Sequence, residues 1–589
     1  MPVVVDLRMD RSLLCPNFDG YKLSFDPVPV LRQNFQSEPF RLEPHINQYS
    51  MLHTELFAKH NQLWCDPWMR YTTYFMNAKH QLVQCVYDSQ SGRARPQRVV
   101  FNLDMHDHGD GHAHVPGDYN YSGVFVSERY LVICDGMTTF HLIDTGDRSR
   151  PSNDLWQRVS RTPVDNGSDH RGQVLYDARL DMVQERKQIS LVAGHVARRD
   201  AGATRNRSQV YYNDITWGRW TLSPGPGTWS YTVCQKLETV GSLLYCAFEP
   251  RAESLILAST RDVHTPEQRE AAAAAAAVDP PRRMVPFENG ADPVAVNFSW
   301  TQTDDELSIK FPLDGVVRRP DFQIRSTATT VQVEHLGRVL IAGTLFGHVD
   351  NELTTWSFGI SKLQLTLIKA EPLRWPRLFI QEDAGPDETE RDGDEEADPL
   401  PDPQLPIPNL EDPLEECDII FDDDEIKMVR FNLAAGGITH TIFMGSSPLL
   451  FNTTLRAGFP PAFATRQGVD ASVWLQMYQP SRPDEWNVRH EGQLHAFGYV
   501  QASKEQRKYT VCCPDMEYVA ICESYRHVLV YRARHDNAEG LRKRNGPPVV
   551  VGKQSLVTLD ETVGDIIGVS TAPNLITILT EFSLLHLQV

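Results

Sequence analysis

Large apolar side chains alternate with polar ones in "ELSIKFPL", Glu306 to Leu313, where Leu307, Ile309 and Phe311 fall on one side and Ser308 and Lys310 on the other. A period of two predicts a half-buried strand. The same rhythm returns at Val331 and Val333, which alternate with Gln332 and Glu334. It returns again at Leu363, Leu365 and Leu367, which alternate with Gln364 and Thr366. Gly337, Gly343, Gly347 and Gly359 break the segments, and no helical period runs between Val294 and Ile380. Short strands with frequent turns over so short a stretch predict a compact antiparallel β-sandwich.

The flanks are also strand-rich but follow another pattern. A hydrophobic strand, a short polar turn and a second strand recur in four places. These are "RYLVICDGMTTFHLIDTG" from Arg129, "SLLYCAFEPRAESLILAST" from Ser242, "EYVAICESYRHVLVYRA" from Glu517, and "NLITILTEFSLLHLQV" at the end of the sequence. Hairpins separated by long loops predict propeller blades whose sequence repeat has decayed. At roughly 45 to 55 residues per blade, the flank before residue 263 would supply five blades and the flank after residue 413 three or four. Joined, the flanks would close one ring of seven or eight, which hides sheet edges that otherwise recruit other chains. Two separate partial β domains are the alternative. The predicted fold class is all-β: a propeller-like domain built from the N- and C-terminal segments (1–262 and 414–589), with the sandwich (294–380) inserted between two linkers (263–293 and 381–413).

Both linkers have distinct chemistry. In "TPEQREAAAAAAAVDPPRR", Thr265 can cap a helix, Pro266 fits its first position, Gln268 completes a capping box, and Pro280 with Pro281 stops it. Seven alanines leave that helix no face to bury. The second linker, Gln381 to Pro413, carries prolines and like charges, which predict an extended or disordered tether. Between Glu382 and Glu425 stand twenty acidic residues and one basic one, Arg391, so nearly all of the chain's net charge of −20 lies there. Either the tether is a solubilising spacer, or it mimics nucleic acid against a basic groove.

With the acidic segment set aside the rest is near neutral. No clustered basic face is visible, which disfavours direct nucleic-acid binding; "LRKRNGPP" from Leu541 reads as a solvated loop or a weak nuclear-import signal. The longest apolar run, Ala271 to Val278, is far short of the roughly 20 residues of a membrane span. The start, "MPVVVDLRMDRSLL", lacks a secretory pattern. Ten cysteines occur without a CxxC pair, which predicts reduced, mostly buried thiols in cytosol or nucleus, with Cys512 and Cys513 on alternate faces of one strand.

Trp300 with "TQTDDELSIKFPL", then "TTVQVEHLGRVLIAGTLFGHVDNELTTWSF", and then "KLQLTLIKAEPLRWPRLFI" resemble a CS domain of the NudC family. The resemblance rests on an opening Trp and acidic turn, Trp356 before the penultimate strand, and a closing Trp375-Pro376-x-Leu378. "GYKLSFDPVP" at Gly20, "LEECDIIFDDD" at Leu414 and "HAFGYVQASK" at His495 resemble one branch of that family, so the likeness runs along most of the chain. The alanine run and a histidine-rich loop depart from its pattern. The resemblance implies a non-enzymatic co-chaperone or adaptor without cofactor, acting in cytoplasm and nucleus. Its implied partners are β-propeller clients, a DEAH-box RNA helicase and the ninety-kilodalton heat-shock chaperone.

Candidate sites are few. His106, His108, His112 and His114 lie within one short loop and could hold a metal, or simply form a flexible loop. That loop is where a propeller enzyme or metal-binding protein, the alternative function, would have its seat; a stable helicase-binding scaffold is a third reading. "GPPVVVGKQS" from Gly546 has the wrong spacing for a phosphate loop. Trp300, Trp356 and Trp375 either fill the sandwich core or anchor a client, with Trp375 the first choice for an anchor because Pro376 stops strand pairing after it. Arg318, Arg319 and Arg325 lie in the same unit and could face an acidic chaperone surface.

Overall fold

All four hairpins expected from the sequence form in the structure, a computed structural model of the 589-residue chain. Tyr130–Cys134 pairs antiparallel with Thr139–Asp144, Leu243–Phe248 with Ser254–Ser259, Val519–Glu523 with His527–Arg532, and Leu575–Thr580 with Ser583–Gln588. The structure describes residues 2–589 apart from 15–17, 104–113, 151, 164–171, 200–210, 226, 272–298, 303–305, 313–321, 337, 360–361, 371–374, 376–377, 380–425, 446, 480, 483, 525 and 534–549. The acidic tether, most of the alanine run and the "LRKRNGPP" loop lie outside the described residues. The chain divides into two units, Met1–Pro280 with Asp424–Val589, and Pro281–Asp423.

Among the described residues of the first unit, the strands build seven sheets. We number these blades 1 to 7 along the chain: residues 64–102, 122–163, 174–239, 243–259 with 427–443, 449–494, 507–558, and 566–588. Successive side chains of a strand point to opposite faces, and both faces of a blade meet a neighbour. Tyr130–Cys134 shows the result. Leu131 and Ile133 join the core shared with blade 1, while Tyr130, Val132 and Cys134 join the core shared with blade 3. This is why such strands read as unbroken apolar runs rather than as alternation. Similar clusters join blades 3 to 4, 4 to 5, 5 to 6 and 6 to 7. The ring closes where Phe75, Val83 and Cys85 of blade 1, with Leu63 just before it, meet Ile567, Leu579 and Leu584 of blade 7.

Seven blades agree with the expected total, but the allotment differs. The N-terminal segment completes three blades and half of a fourth rather than five, because its first sixty residues build no blade of their own and blade 3 uses strands of 10 to 13 residues. Blade 4 is shared. Ser254–Ser259, before the second unit in sequence, lies antiparallel to Lys427–Asn432, after it, with Ser259 opposite Lys427. A buried ion pair locks the two halves: Arg430 Nε donates to Glu249 Oε2 at 2.9 Å and Nη2 to Oε1 at 3.2 Å.

The described stretches of the first 34 residues lie along the outer edges of blades 4 to 7 in turn. Val3–Val4 adds a parallel strand to Gly437–Phe443 of blade 4, and the Asp10 N–H donates to His490 Nδ1 of blade 5. Phe18–Ser24 adds a parallel strand to Val550–Thr558 of blade 6. Val30–Asn34 pairs antiparallel with Ser583–Gln588 and supplies the fourth strand of blade 7. The ring is thus closed by hydrogen bonds between the two ends of the chain. Gly552, Lys553 and Gln554 pair with Tyr21, Lys22 and Leu23 in this arrangement, so the described part of "GPPVVVGKQS", from Val550 on, is a strand and not a phosphate loop.

The second unit is the predicted antiparallel sandwich. One sheet carries Ser299–Gln302, Glu306–Pro312, Lys362–Lys369 and Val349–Gly359 in that spatial order; the other carries Phe322–Ser326, Thr330–His335 and Arg338–Thr344. Leu307, Ile309, Phe311, Leu363, Leu365 and Leu367 face Val331, Val333 and Ile341 across the core. The alternation marks the buried face directly.

Candidate binding surfaces

Helix α1, Met51–Lys59, lies against the ring and is capped by the Ser50 hydroxyl, which accepts from the His53 N–H at 3.3 Å. Leu52, Glu55, Leu56 and Lys59 recur at three- and four-residue spacing, which gives them one face of the helix, and that face lines a cavity of about 390 Å³. The remaining wall comes from Trp64 of blade 1, Ser122 to Val124 of blade 2, Val174 to Tyr176 of blade 3, Leu243 to Cys246 of blade 4 and Asn452 of blade 5. Five blades therefore converge on it. Glu55 accepts from the Ser242 hydroxyl at 2.9 Å and lies 3.8 Å from the Lys59 ammonium. Phe57 stacks on Tyr119, His60 Nε2 donates to the Tyr121 carbonyl at 3.0 Å, and Tyr509 of blade 6 donates to the His60 carbonyl at 2.9 Å. Burial holds the His60 imidazole below its ordinary pKa, which keeps it neutral.

Farther along the same blade 3 strand, Arg179 donates to the Gly458 carbonyl of blade 5 at 2.7 Å. Arg148 and Asp66, both buried, pair at 2.7 Å between blades 2 and 1. Immediately before and at the start of α1, Ile46, Tyr49 and Met51 are 80%, 67% and 74% exposed, with Tyr49 set edge-on to Tyr211. These are three exposed apolar side chains close together in sequence. Nothing in the sequence marked the cavity, because its walls come from stretches spread over some 400 positions.

In the sandwich, Trp300 pairs with Ile309, Ile309 with Leu365 and Leu365 with Trp356. Cross-strand partners share a face, so both indoles flank one core-facing row, half-buried at its two ends. Trp375 differs from the expected rim anchor. It is 4% exposed, its backbone N–H donates to Gln302 Oε1 at 2.8 Å, its backbone carbonyl accepts from Gln302 Nε2 at 2.7 Å, and a Cβ on Gly347 would stand 2.8 Å from its ring. The ring fills the space between the sheets, so its contacts are internal. Arg325 is exposed and donates to Gln323 Oε1 at 3.3 Å; Arg318, Arg319 and Pro376 lie outside the described residues.

Of the histidine loop, His106, His108 and His112 also lie outside the described residues. His114 stacks parallel to His80 at 5.8 Å and donates through Nε2 to the Asp135 carbonyl at 3.0 Å. Among the described residues no group of three His, Cys, Asp or Glu side chains could hold a metal ion. The eight described cysteines are free thiols, five of them buried. Cys512, the last residue of the strand Arg507–Cys512, joins the core toward blade 5, and Cys513, just past the strand's end, joins the core toward blade 7, so the pair points to opposite cores. Burial raises both thiols, Cys513 to about 11, well away from the thiolate that nucleophilic chemistry needs. Among the described residues no helix is long and apolar enough to cross a membrane.

Comparison with known proteins follows this division. Residues 296–369 match the CS domain family. The chain is 25% identical to NudC domain-containing protein 1 of Mus musculus over 99% of this chain and 98% of that protein. It is 24% identical to the Xenopus laevis protein of the same name over 99% and 98%. Among solved structures, the nuclear movement protein from E. cuniculi GB-M1 covers 14% of this chain and 98% of its own at 24% identity, TM-score 0.13. The WD40 domain of SCAP from fission yeast covers 97% of this chain and 98% of its own at 8% identity, TM-score 0.29. A sandwich inserted in sequence between the two halves of blade 4, matched by a CS family model, and an end-to-end likeness in sequence make this chain a CS-domain β-propeller protein similar to NudC domain-containing protein 1.

Proposed function

We propose that this protein is a non-enzymatic co-chaperone or adaptor of the NudC type, with the propeller recognising one protein and the CS sandwich engaging a client or a chaperone. The observation that carries this is the insertion itself: two units with separate cores, each of a fold that serves protein contact, are joined at one blade. The exposed Ile46, Tyr49 and Met51 favour contact with another protein on the ring. The clients most in keeping with the resemblance are β-propeller proteins and a DEAH-box RNA helicase, with a link to the ninety-kilodalton heat-shock chaperone, in cytoplasm and nucleus.

Affinity capture on the full chain at physiological salt, read by mass spectrometry, should return a helicase, propeller proteins or heat-shock chaperones. Recovery of none of these would end the adaptor reading. The helicase scaffold is distinguished by a complex that survives gel filtration at nanomolar concentration, whereas a co-chaperone should release its client.

A further inference from the structure

From residue 2 to residue 34 no described residue is buried. Val5, Leu7, Tyr21, Val28 and Leu31 pack against the ring only in part, and Val3, Val4, Leu23, Phe25 and Val30 are exposed. This ribbon is held by backbone pairing and a few surface polar contacts. Segments with so little burial open locally at a small fraction of the global unfolding free energy. Opening uncovers the outer edge of a blade, a row of backbone groups ready to pair.

Blade 6 shows what such an edge selects. Phe18–Ser24 lies parallel to Val550–Thr558, with Tyr21 opposite Gly552, Lys22 opposite Lys553 and Leu23 opposite Gln554. Gly552 makes room for an aromatic ring, since a Cβ there would stand 2.6 Å from Tyr21 Cδ1. The ring sits edge-on to Tyr531 at 5.1 Å, and its hydroxyl donates to the His495 carbonyl at 2.7 Å. Opposite Lys553, however, the ribbon presents a second lysine, and like charges at partner positions weaken a ladder. Lys553 draws a counter-charge from Asp26, farther along the ribbon, at 3.0 Å. The resident segment fits the tyrosine socket and mismatches the next position.

Resting on the protein-binding role above, we propose that the outer edge of blade 6 is an exchangeable strand site, where a bound protein replaces Phe18–Ser24 with an extended segment carrying a tyrosine followed by an acidic residue. The tyrosine enters the socket over Gly552, and the carboxylate stands opposite Lys553. Strand addition of this kind is a common mode of peptide recognition, and it continues the pairing by which the ribbon itself is held. The ribbon keeps the edge covered until the other segment arrives.

The test uses the full chain and a fluorescein-labelled peptide of residues 18–28, FDGYKLSFDPV, read by anisotropy. Tyr21→Ala in the chain weakens the resident ribbon and raises the open fraction, so that variant should bind the peptide at least about tenfold more tightly than the unaltered chain. Toward the Tyr21→Ala chain, a peptide carrying Tyr21→Phe should bind about three- to tenfold more weakly for want of the bond to His495. A peptide carrying Lys22→Glu should bind about two- to fivefold more tightly. Equal affinity of the two chains, of the Tyr and Phe peptides, or of the Lys and Glu peptides would overturn the inference. Hydrogen exchange on the 15N-labelled, otherwise unaltered chain needs no variant: saturating Lys22→Glu peptide should speed exchange across Phe18–Ser24 by displacing it, and unchanged exchange there would also overturn the inference. Dimers of the unaltered chain that the peptide dissolves would assign the edge to a second copy's ribbon and overturn the assignment to another protein. Partner capture without peptide binding ends the strand site and leaves the adaptor reading standing; peptide binding without any captured partner ends the adaptor reading and leaves the strand site.

Discussion

His586 sits at the seam where the ring closes. It is 1% exposed on the strand Ser583–Gln588, tilted against Tyr87 of blade 1 at 5.3 Å and beside Thr577 Oγ1 at 3.3 Å. Burial pushes its pKa down to about 4. The folded ring therefore refuses a proton that the unfolded chain accepts below about pH 6.5. Stability should fall as pH drops from about 6.5 to about 4, by a total on the order of 3 kcal/mol, and level off below that. Urea midpoints from pH 7 to pH 4.5 should show a shallower acid limb for His586→Leu than for the unaltered chain; identical limbs would show that this imidazole is not the group that titrates. No spacing rule singled out His586, because its burial comes from Tyr87, about 500 positions away. Cys512 and Cys513 were legible for the opposite reason, since strand alternation alone sends neighbours to opposite faces.

At the scale of single elements, local pattern carried the most information. Thr265 and Gln268 do form the reciprocal capping box, with Thr265 N–H donating to Gln268 Oε1 at 3.0 Å and Gln268 N–H to Thr265 Oγ1 at 3.2 Å. The alternating strands of the sandwich were legible for the same reason, because one face is core and the other is not. Of the two readings of Trp375, core or anchor, its burial favours the core, since proline after a tryptophan says where pairing stops, not where the ring goes. Trp375→Ala should remove about 3–5 kcal/mol from the sandwich, against a total of about 5–15 kcal/mol for an ordinary domain. Calorimetry should show the sandwich transition lowered or lost and the ring transition unmoved. An unshifted sandwich transition would return Trp375 to the list of surface anchors.

Over the whole molecule, length bounded the ring at seven or eight blades but fixed neither the number nor the path of the chain. The edge-following segment before residue 35 has no period of its own; its strands exist because blades 4, 6 and 7 offer unpaired backbone to bind. The split of blade 4 makes a separate prediction. Ser259 and Lys427 are direct ladder partners, so the ring needs only a short connection there. Replacing Pro281–Asp423 by a flexible Gly/Ser linker of about 10 residues should leave the ring transition within a few degrees of its original temperature, whereas aggregation of that variant would mean the ring depends on the sandwich to fold.

The joining of residues 30–34 to residues 583–588 also sets an order of events during translation. The bond from Arg32 to Ser583 spans 551 positions. At about 5–20 residues per second on the ribosome, an early ribbon must wait on the order of a minute for its mate to emerge. Until the last blade emerges, blade 1 exposes the flank that blade 7 will cover, so each newly made copy carries an open sheet face for as long as its synthesis lasts.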